Sequence, residues 1–136
     1  MIKKPIRLGV SGALGKMGSR IITLASGDKD FKVVLALEKL GHPLLGDKVA
    51  DTEVVSHHEM IKAIDCLIDF TTPEATLEHL KHCLKFRKAV VIGTTGLLQQ
   101  AKEEIALAAK KIPIVFSPNM SIGVNLLFAL VRQAAS

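Results

Sequence analysis

Short, nearly uninterrupted apolar runs alternate along the chain with stretches whose apolar residues recur at helical spacing. Runs at residues 6–10, 32–37, 66–70, 89–92 and 112–116 predict strands. Continuous apolar character, in place of strict alternation, marks strands covered on both faces, as in parallel sheets. Helical spacing predicts helices over residues 15–25, 57–64, 73–86, 98–111 and 121–135. Ser56 with Glu59 and Thr71 with Glu74 have the spacing of capping boxes, and Pro73 falls where a first-turn proline is tolerated. Repeated strand-then-helix units with right-handed crossovers predict an α/β fold with a doubly wound, mostly parallel sheet. In such sheets ligands sit at the carboxyl ends of the strands, so the loops that follow strands are where function is sought. Residues 39–52, with Gly41, Pro43 and Gly46, show no periodicity and read as a loop.

Length and composition narrow the picture without choosing a function. The 136 residues suit one domain, spanning 1–136, and 49% hydrophobic against 23% charged residues is ordinary for a globular chain. No apolar run approaches the roughly 20 residues of a membrane span. The N-terminal Met1-Ile2-Lys3-Lys4-Pro5 leads straight into a strand pattern, so a cytoplasmic protein is expected. Cys66 and Cys83 fall in a strand and a helix pattern and read as reduced packing residues. The net charge of +5 comes from scattered Lys and Arg, and Trp and Tyr are absent, which argues against nucleic acid as a partner. A basic surface equally suits an anionic small molecule.

The first turn carries the strongest chemistry. Gly12, Gly15 and Gly18 follow the first strand and open a helical stretch, as Gly12-Ala13-Leu14-Gly15-Lys16-Met17-Gly18. Glycine at these points permits a tight turn, close approach of backbone to a pyrophosphate, and close packing of helix on strand. Unpaired N–H groups at the helix start attract phosphate oxygens, and Lys16 adds a cation. Any tight turn between strand and helix can use such glycines; Glu38 strengthens the coenzyme reading. It ends the second strand about 20 residues past the glycines, where a carboxylate accepts the ribose hydroxyls of a dinucleotide. Lys39 beside it can pair with the 2′-phosphate of NADPH, so both NADH and NADPH are expected as coenzymes of a Rossmann-type domain. The plainer alternative is that Glu38 and Lys39 merely solvate a loop.

Three later loops follow strands: Asp69-Phe70-Thr71-Thr72-Pro73, Gly93-Thr94-Thr95-Gly96 and Ser117-Pro118-Asn119-Met120-Ser121-Ile122-Gly123. Their small residues, hydroxyls and backbone amides suit a ribose or a carboxamide, although turn chemistry alone selects the same residue types. Taken with the glycine turn, and with Val91-Ile92 before and Val124-Asn125 after the later loops, these motifs resemble the N-terminal domain of dihydrodipicolinate reductase, also called 4-hydroxy-tetrahydrodipicolinate reductase. The similarity covers nearly the whole chain.

That resemblance implies NAD(P)H-dependent reduction of a dihydrodipicolinate precursor in diaminopimelate and lysine synthesis. It implies that Gly12, Gly15, Lys16, Met17 and Gly18 hold the pyrophosphate, and that Glu38 holds the adenosine ribose. Lys39 and Lys16 would lie near a 2′-phosphate, with Phe70 and Thr71 bordering the coenzyme. Gly93, Thr94 and Thr95 would sit by the nicotinamide ribose, and Ser117, Pro118, Asn119 and Met120 would shape the nicotinamide site. The family's proton donor and substrate clamp belong to a following domain with a His-His-x-x-Lys segment and a Pro-Ser-Gly-Thr loop. The family is homotetrameric. Neither motif occurs in these 136 residues, so the chain is expected to bind coenzyme without turnover, and no catalytic residue is assigned.

His57-His58 lacks that loop and reads as a helix start with exposed imidazoles. His79, His82 and Cys83 share a helical side, but no convergent fourth ligand is evident and no metal site is expected. Leu98 stands where the family often has a polar helix cap, predicting a weakened cap. Two other readings remain at this point: a stand-alone NAD(P)-binding regulatory module, and a different oxidoreductase built on the same sheet.

Overall fold

The computed structural model describes residues 4–135. Seven strands form one sheet: β1 (Ile6–Ser11), β2 (Phe31–Leu37), β3 (Lys48–Val49), β4 (Thr52–Val55), β5 (Cys66–Asp69), β6 (Ala89–Ile92) and β7 (Ile114–Phe116). Four α-helices connect or follow them: α1 (Lys16–Ser26), α2 (Pro73–Phe86), α3 (Gln99–Ala108) and α4 (Ile122–Ala134). The sheet order is β3-β4-β2-β1-β5-β6-β7, parallel throughout except where β3 pairs antiparallel with β4. The chain therefore starts in the middle, winds outward through β2 and β4, and returns to wind the other way from β5. The reversal lies between β1 and β5, and at such a point two neighbouring loops diverge and leave a crevice.

Side-chain alternation feeds a core on each face. Along β2, Leu35 and Leu37 enter one cluster with Leu67, Leu80, Val90, Ile92 and Ile105, while Ala36 enters the other with Val10, Ile22 and Val54. α2 and α3 supply the helical side of the first cluster and α1 that of the second. Each fully buried Leu or Ile contributes roughly 1.5–3 kcal/mol by removal from water.

The predicted doubly wound α/β architecture is present, with local departures. The expected loop over residues 39–52 contains β3, and β4 follows from Thr52; this hairpin is short and half-polar, so no apolar run announces it. Residues 57–64 form no α-helix: His58–Ala63 is a 3-10 helix. The Ser56–Glu59 box is not made, since His57 is the N-cap without a side-chain bond and the Glu59 carboxylate accepts instead from Lys85 Nζ at 2.7 Å. At α2 the cap is Thr72, which accepts from the Ala75 N–H. Thr71 donates its hydroxyl back to Asp69 at 2.6 Å and is unavailable as a cap, while Pro73 takes the first helical position. Leu98 is the N-cap of α3 and offers no side-chain hydrogen bond. Both cysteines are free thiols, and burial pushes Cys83 up to about 12. No helix among the described residues is long and apolar enough to cross a membrane.

Candidate functional site

The glycine turn is built by the meeting of β1, β2 and α1. Gly12 has φ +71°, in the left-handed region that suits glycine, and both Gly12 and Ala13 donate to the Leu37 carbonyl at the end of β2. A Cβ on Gly12 would come within 2.7 Å of the Phe70 carbonyl oxygen, so the turn lies hard against the loop after β5. Gly18 is buried over the same turn, and a Cβ there would collide with the Gly12 carbonyl oxygen. α1 starts at Gly15 with no side-chain cap and no acidic residue in its first turn. Its leading N–H groups are thus available to an anion drawn by the positive end of the helix.

Glu38 reaches back to this turn. One carboxylate oxygen accepts the Leu14 N–H at 3.0 Å and the other accepts the Lys39 N–H at 3.3 Å. Across the reversal, Phe70 and Thr71 form the opposite wall. A cleft of about 960 Å³ opens between the two sides and includes Ser11, Gly12, Gly15, Glu38, Lys39, Phe70, Thr71 and His79 in its lining. That size is at the upper end of ordinary cofactor pockets.

Beneath the cleft floor lies a buried polar network that the motifs did not announce. Asp69, with no solvent exposure, meets His79 Nδ1 at 2.8 Å through one oxygen and receives the Thr71 hydroxyl at the other. The Ser11 hydroxyl contacts the His79 ring at 3.2 Å. Thr94 accepts the Thr71 N–H at 3.1 Å and shares a 2.7 Å hydroxyl contact with Thr76. Strand ends β1 and β5, helix α2 and the loop after β6 are so tied into one unit.

A second histidine group lies at the cleft rim. His58 Nδ1 is 3.1 Å from Glu78, and the His58 ring lies 5.1 Å from both the His79 and His82 rings. Burial and the neighbouring His79 and His82 lower the His58 pKa, and Glu78 works against them. His57 is exposed as expected, but His58 is half-buried: the chain turns it inward against α2. His79 is engaged with Asp69 and Cys83 lies in the core, whereas His82 faces His58 and Glu78.

Comparison with known proteins decides the family. The profile described as dihydrodipicolinate reductase, N-terminus, matches residues 6–120. The chain belongs to the dihydrodipicolinate reductase family. It is 38% identical over 138 residues to the 4-hydroxy-tetrahydrodipicolinate reductase of Bordetella parapertussis, covering 96% of this chain and 51% of that protein. The enzyme of the same name from Dechloromonas aromatica is 43% identical over 137 residues, covering 95% and 51% respectively. Among solved structures, a dipicolinate-bound dihydrodipicolinate reductase from Paenisporosarcina sp. TG-14 superposes with a TM-score of 0.80 at 27% identity, over 96% of this chain and 54% of that one. The chain thus spans about half the length of the curated relatives it matches.

Within the chain the predicted residues fall into groups. Gly12, Gly15, Glu38, Lys39, Phe70 and Thr71 converge on the cleft. Lys16 and Met17 are exposed at the start of α1, and Gly18 is buried behind the turn. Gly93 lies beneath the Phe70 ring, where a Cβ would collide with it, and Thr94 is buried in the network below while Thr95 is exposed. Ser117 and Asn119 fold onto the start of α4: Ser117 Oγ donates to the Asn119 carbonyl at 2.7 Å, and Asn125 donates to the same oxygen at 3.0 Å. Pro118 and Met120 are exposed beside them. These two loops follow β6 and β7 at the same sheet edge but do not line the cleft. Ser11, His58, Glu78 and His79, which do line it, lie outside the motifs; only the alternation of α2 toward the sheet hints at His79.

Proposed function

We propose that residues 1–136 are the dinucleotide-binding domain of a 4-hydroxy-tetrahydrodipicolinate reductase that uses NADH or NADPH. The observation that carries this reading is the cleft at the sheet's reversal, where the glycine turn, an uncapped helix start and Glu38 stand together. The fit is steric as well as chemical: side chains at Gly12 and Gly18 would fill or distort the cradle. In this role the α1 amides and Lys16 receive the pyrophosphate, Met17 and Gly18 shape the approach, and Glu38 receives the adenosine ribose. Lys39, exposed at the cleft edge, supplies a cation for a 2′-phosphate.

Phe70 and Thr71 flank the coenzyme from the β5 side. Gly93 and Thr95 serve the nicotinamide ribose, with Thr94 setting the position of Thr71 from below. Ser117, Pro118, Asn119 and Met120 shape the nicotinamide end. When bound, the coenzyme supplies a hydride for reduction of the dihydrodipicolinate precursor. The residues here hold and orient that donor, and none is assigned as the proton donor.

Fluorescence titration of NADH and NADPH into the 136-residue chain tests the proposal. Both should bind, and Lys39→Ala should weaken NADPH by about tenfold, or 1.4 kcal/mol, with little change for NADH. Unchanged NADPH affinity would refute the Lys39 role, and failure of both coenzymes to bind would refute the site. Turnover of the precursor by this chain should be negligible; rates like those of the full-length relatives would overturn that part.

A further inference from the structure

The histidine group at the cleft rim has the makings of a cation site. Glu78 and His82 are four residues apart on α2, so both project from one helix face, and His58 approaches them from the facing 3-10 helix. One ligand atom from each of the three lies within 4.8 Å of the other two. Bonds of roughly 2.0–2.2 Å to nitrogen and oxygen place tetrahedral ligands about 3.3 Å apart, so small side-chain rotations close the set. The His58–Glu78 pair, at 3.1 Å, is already at that separation.

An independent observation points the same way. His82 Nδ1 is buried without a hydrogen-bond partner among the described residues. A buried polar atom left alone costs roughly 1–3 kcal/mol, and such atoms in folded proteins call for an explanation. The surroundings hold the two elements in place: Lys85 bridges to Glu59 across them at 2.7 Å, and Phe86 stacks on the His82 ring. We propose that His58, Glu78 and His82 bind a divalent transition-metal ion of the zinc type, with the fourth position left to water. Two imidazoles and one carboxylate suit that ion, whereas magnesium and calcium prefer all-oxygen sets. The ion would join the 3-10 helix to α2 at the edge of the cleft.

The test uses Zn²⁺ and Co²⁺ added to the metal-stripped 136-residue chain, read by calorimetry and by the visible absorption of tetrahedral Co²⁺. One ion per chain is expected, with a tetrahedral spectrum and a raised melting temperature. Glu78→Gln should weaken binding by about tenfold or more and His82→Gln should abolish the spectrum, while His57→Ala leaves both unchanged. Glu78 is exposed, so its variant keeps the fold, which circular dichroism verifies. Binding unaffected by Glu78→Gln and His82→Gln, binding lost with His57→Ala, or an octahedral Co²⁺ spectrum would each overturn the proposal.

Discussion

At Gly18 a single methyl decides whether α1 can sit on the turn. Its added Cβ meets backbone, the Gly12 carbonyl, and backbone cannot rotate aside as a side chain can. Gly18→Ala should therefore cost about 1–3 kcal/mol of stability by overpacking and remove coenzyme binding, measured by denaturant unfolding and by titration. Asp69 is the counterpart at the cleft floor. His79→Leu would leave the buried Asp69 side chain without its imidazole partner, a loss of roughly 1–3 kcal/mol; Asp69→Asn combined with His79→Leu should recover much of it. A merely additive double variant would show that the two side chains are not coupled. The glycines were legible because each has a steric reason expressed in residue type and spacing. Asp69 and His79 were not, because a buried hydrogen-bonded pair joins residues brought together only by the packing of α2 on β5.

Among the elements, strands β1, β2, β5 and β6 could be read to within a residue or so, since their apolar runs are bounded by turns. β3 and β4 escaped notice because two and four residues with Lys48, Thr52 and Glu53 among them give no periodic signal. The caps of the 3-10 helix and α2 were misplaced because hydroxyl and carboxylate partners are chosen by neighbouring elements: Thr71 turns to Asp69, and Glu59 to Lys85. The start of β1 is tied to the segment before β5 by Arg7, which donates to Asp65 at 2.6 Å and 3.1 Å. Those bonds hold the Asp65 pKa down to about 2. A carboxylate depressed in the folded state gives stability that is present above its unfolded pKa, about 3.9, and is lost as pH falls through about 2. Both side chains are about two-fifths exposed, so water screens the pair. Asp65→Asn should cost no more than about 1 kcal/mol at pH 7 and should flatten the acid limb of a stability–pH curve between pH 4 and 2. A steep limb surviving in that variant would assign the acid sensitivity elsewhere.

For the molecule as a whole, α4 is the outlying element. None of its residues is buried, and Ile122, Leu126, Leu127, Phe128, Leu130 and Val131 are exposed along it. A row of this kind is larger than the scattered apolar residues of an ordinary surface. The 136-residue chain should therefore bind a hydrophobic dye in its native state, and Leu127→Glu with Phe128→Glu should reduce that signal while changing stability by less than about 0.5 kcal/mol. Equal dye binding by the variant would place the exposed apolar surface elsewhere. The overall α/β architecture was legible from strand and helix alternation, and the family from the turn and loop motifs. The free face of α4 was not, because its apolar periodicity looks the same whether or not anything packs against it.

The carboxylate of Glu38 also bears on any attempt to recode coenzyme preference. Exchanging the acidic residue after the second strand for a neutral or basic one is the obvious route to favouring a phosphorylated ribose. Here a replacement without an acceptor oxygen at that point strips the Leu14 N–H of its partner, so the glycine turn loosens at the moment its selectivity is altered. A redesigned domain would then lose affinity for both coenzymes together. Retaining an acceptor, as in Glu38→Gln paired with a new cation nearby, is the change that separates selectivity from the integrity of the turn.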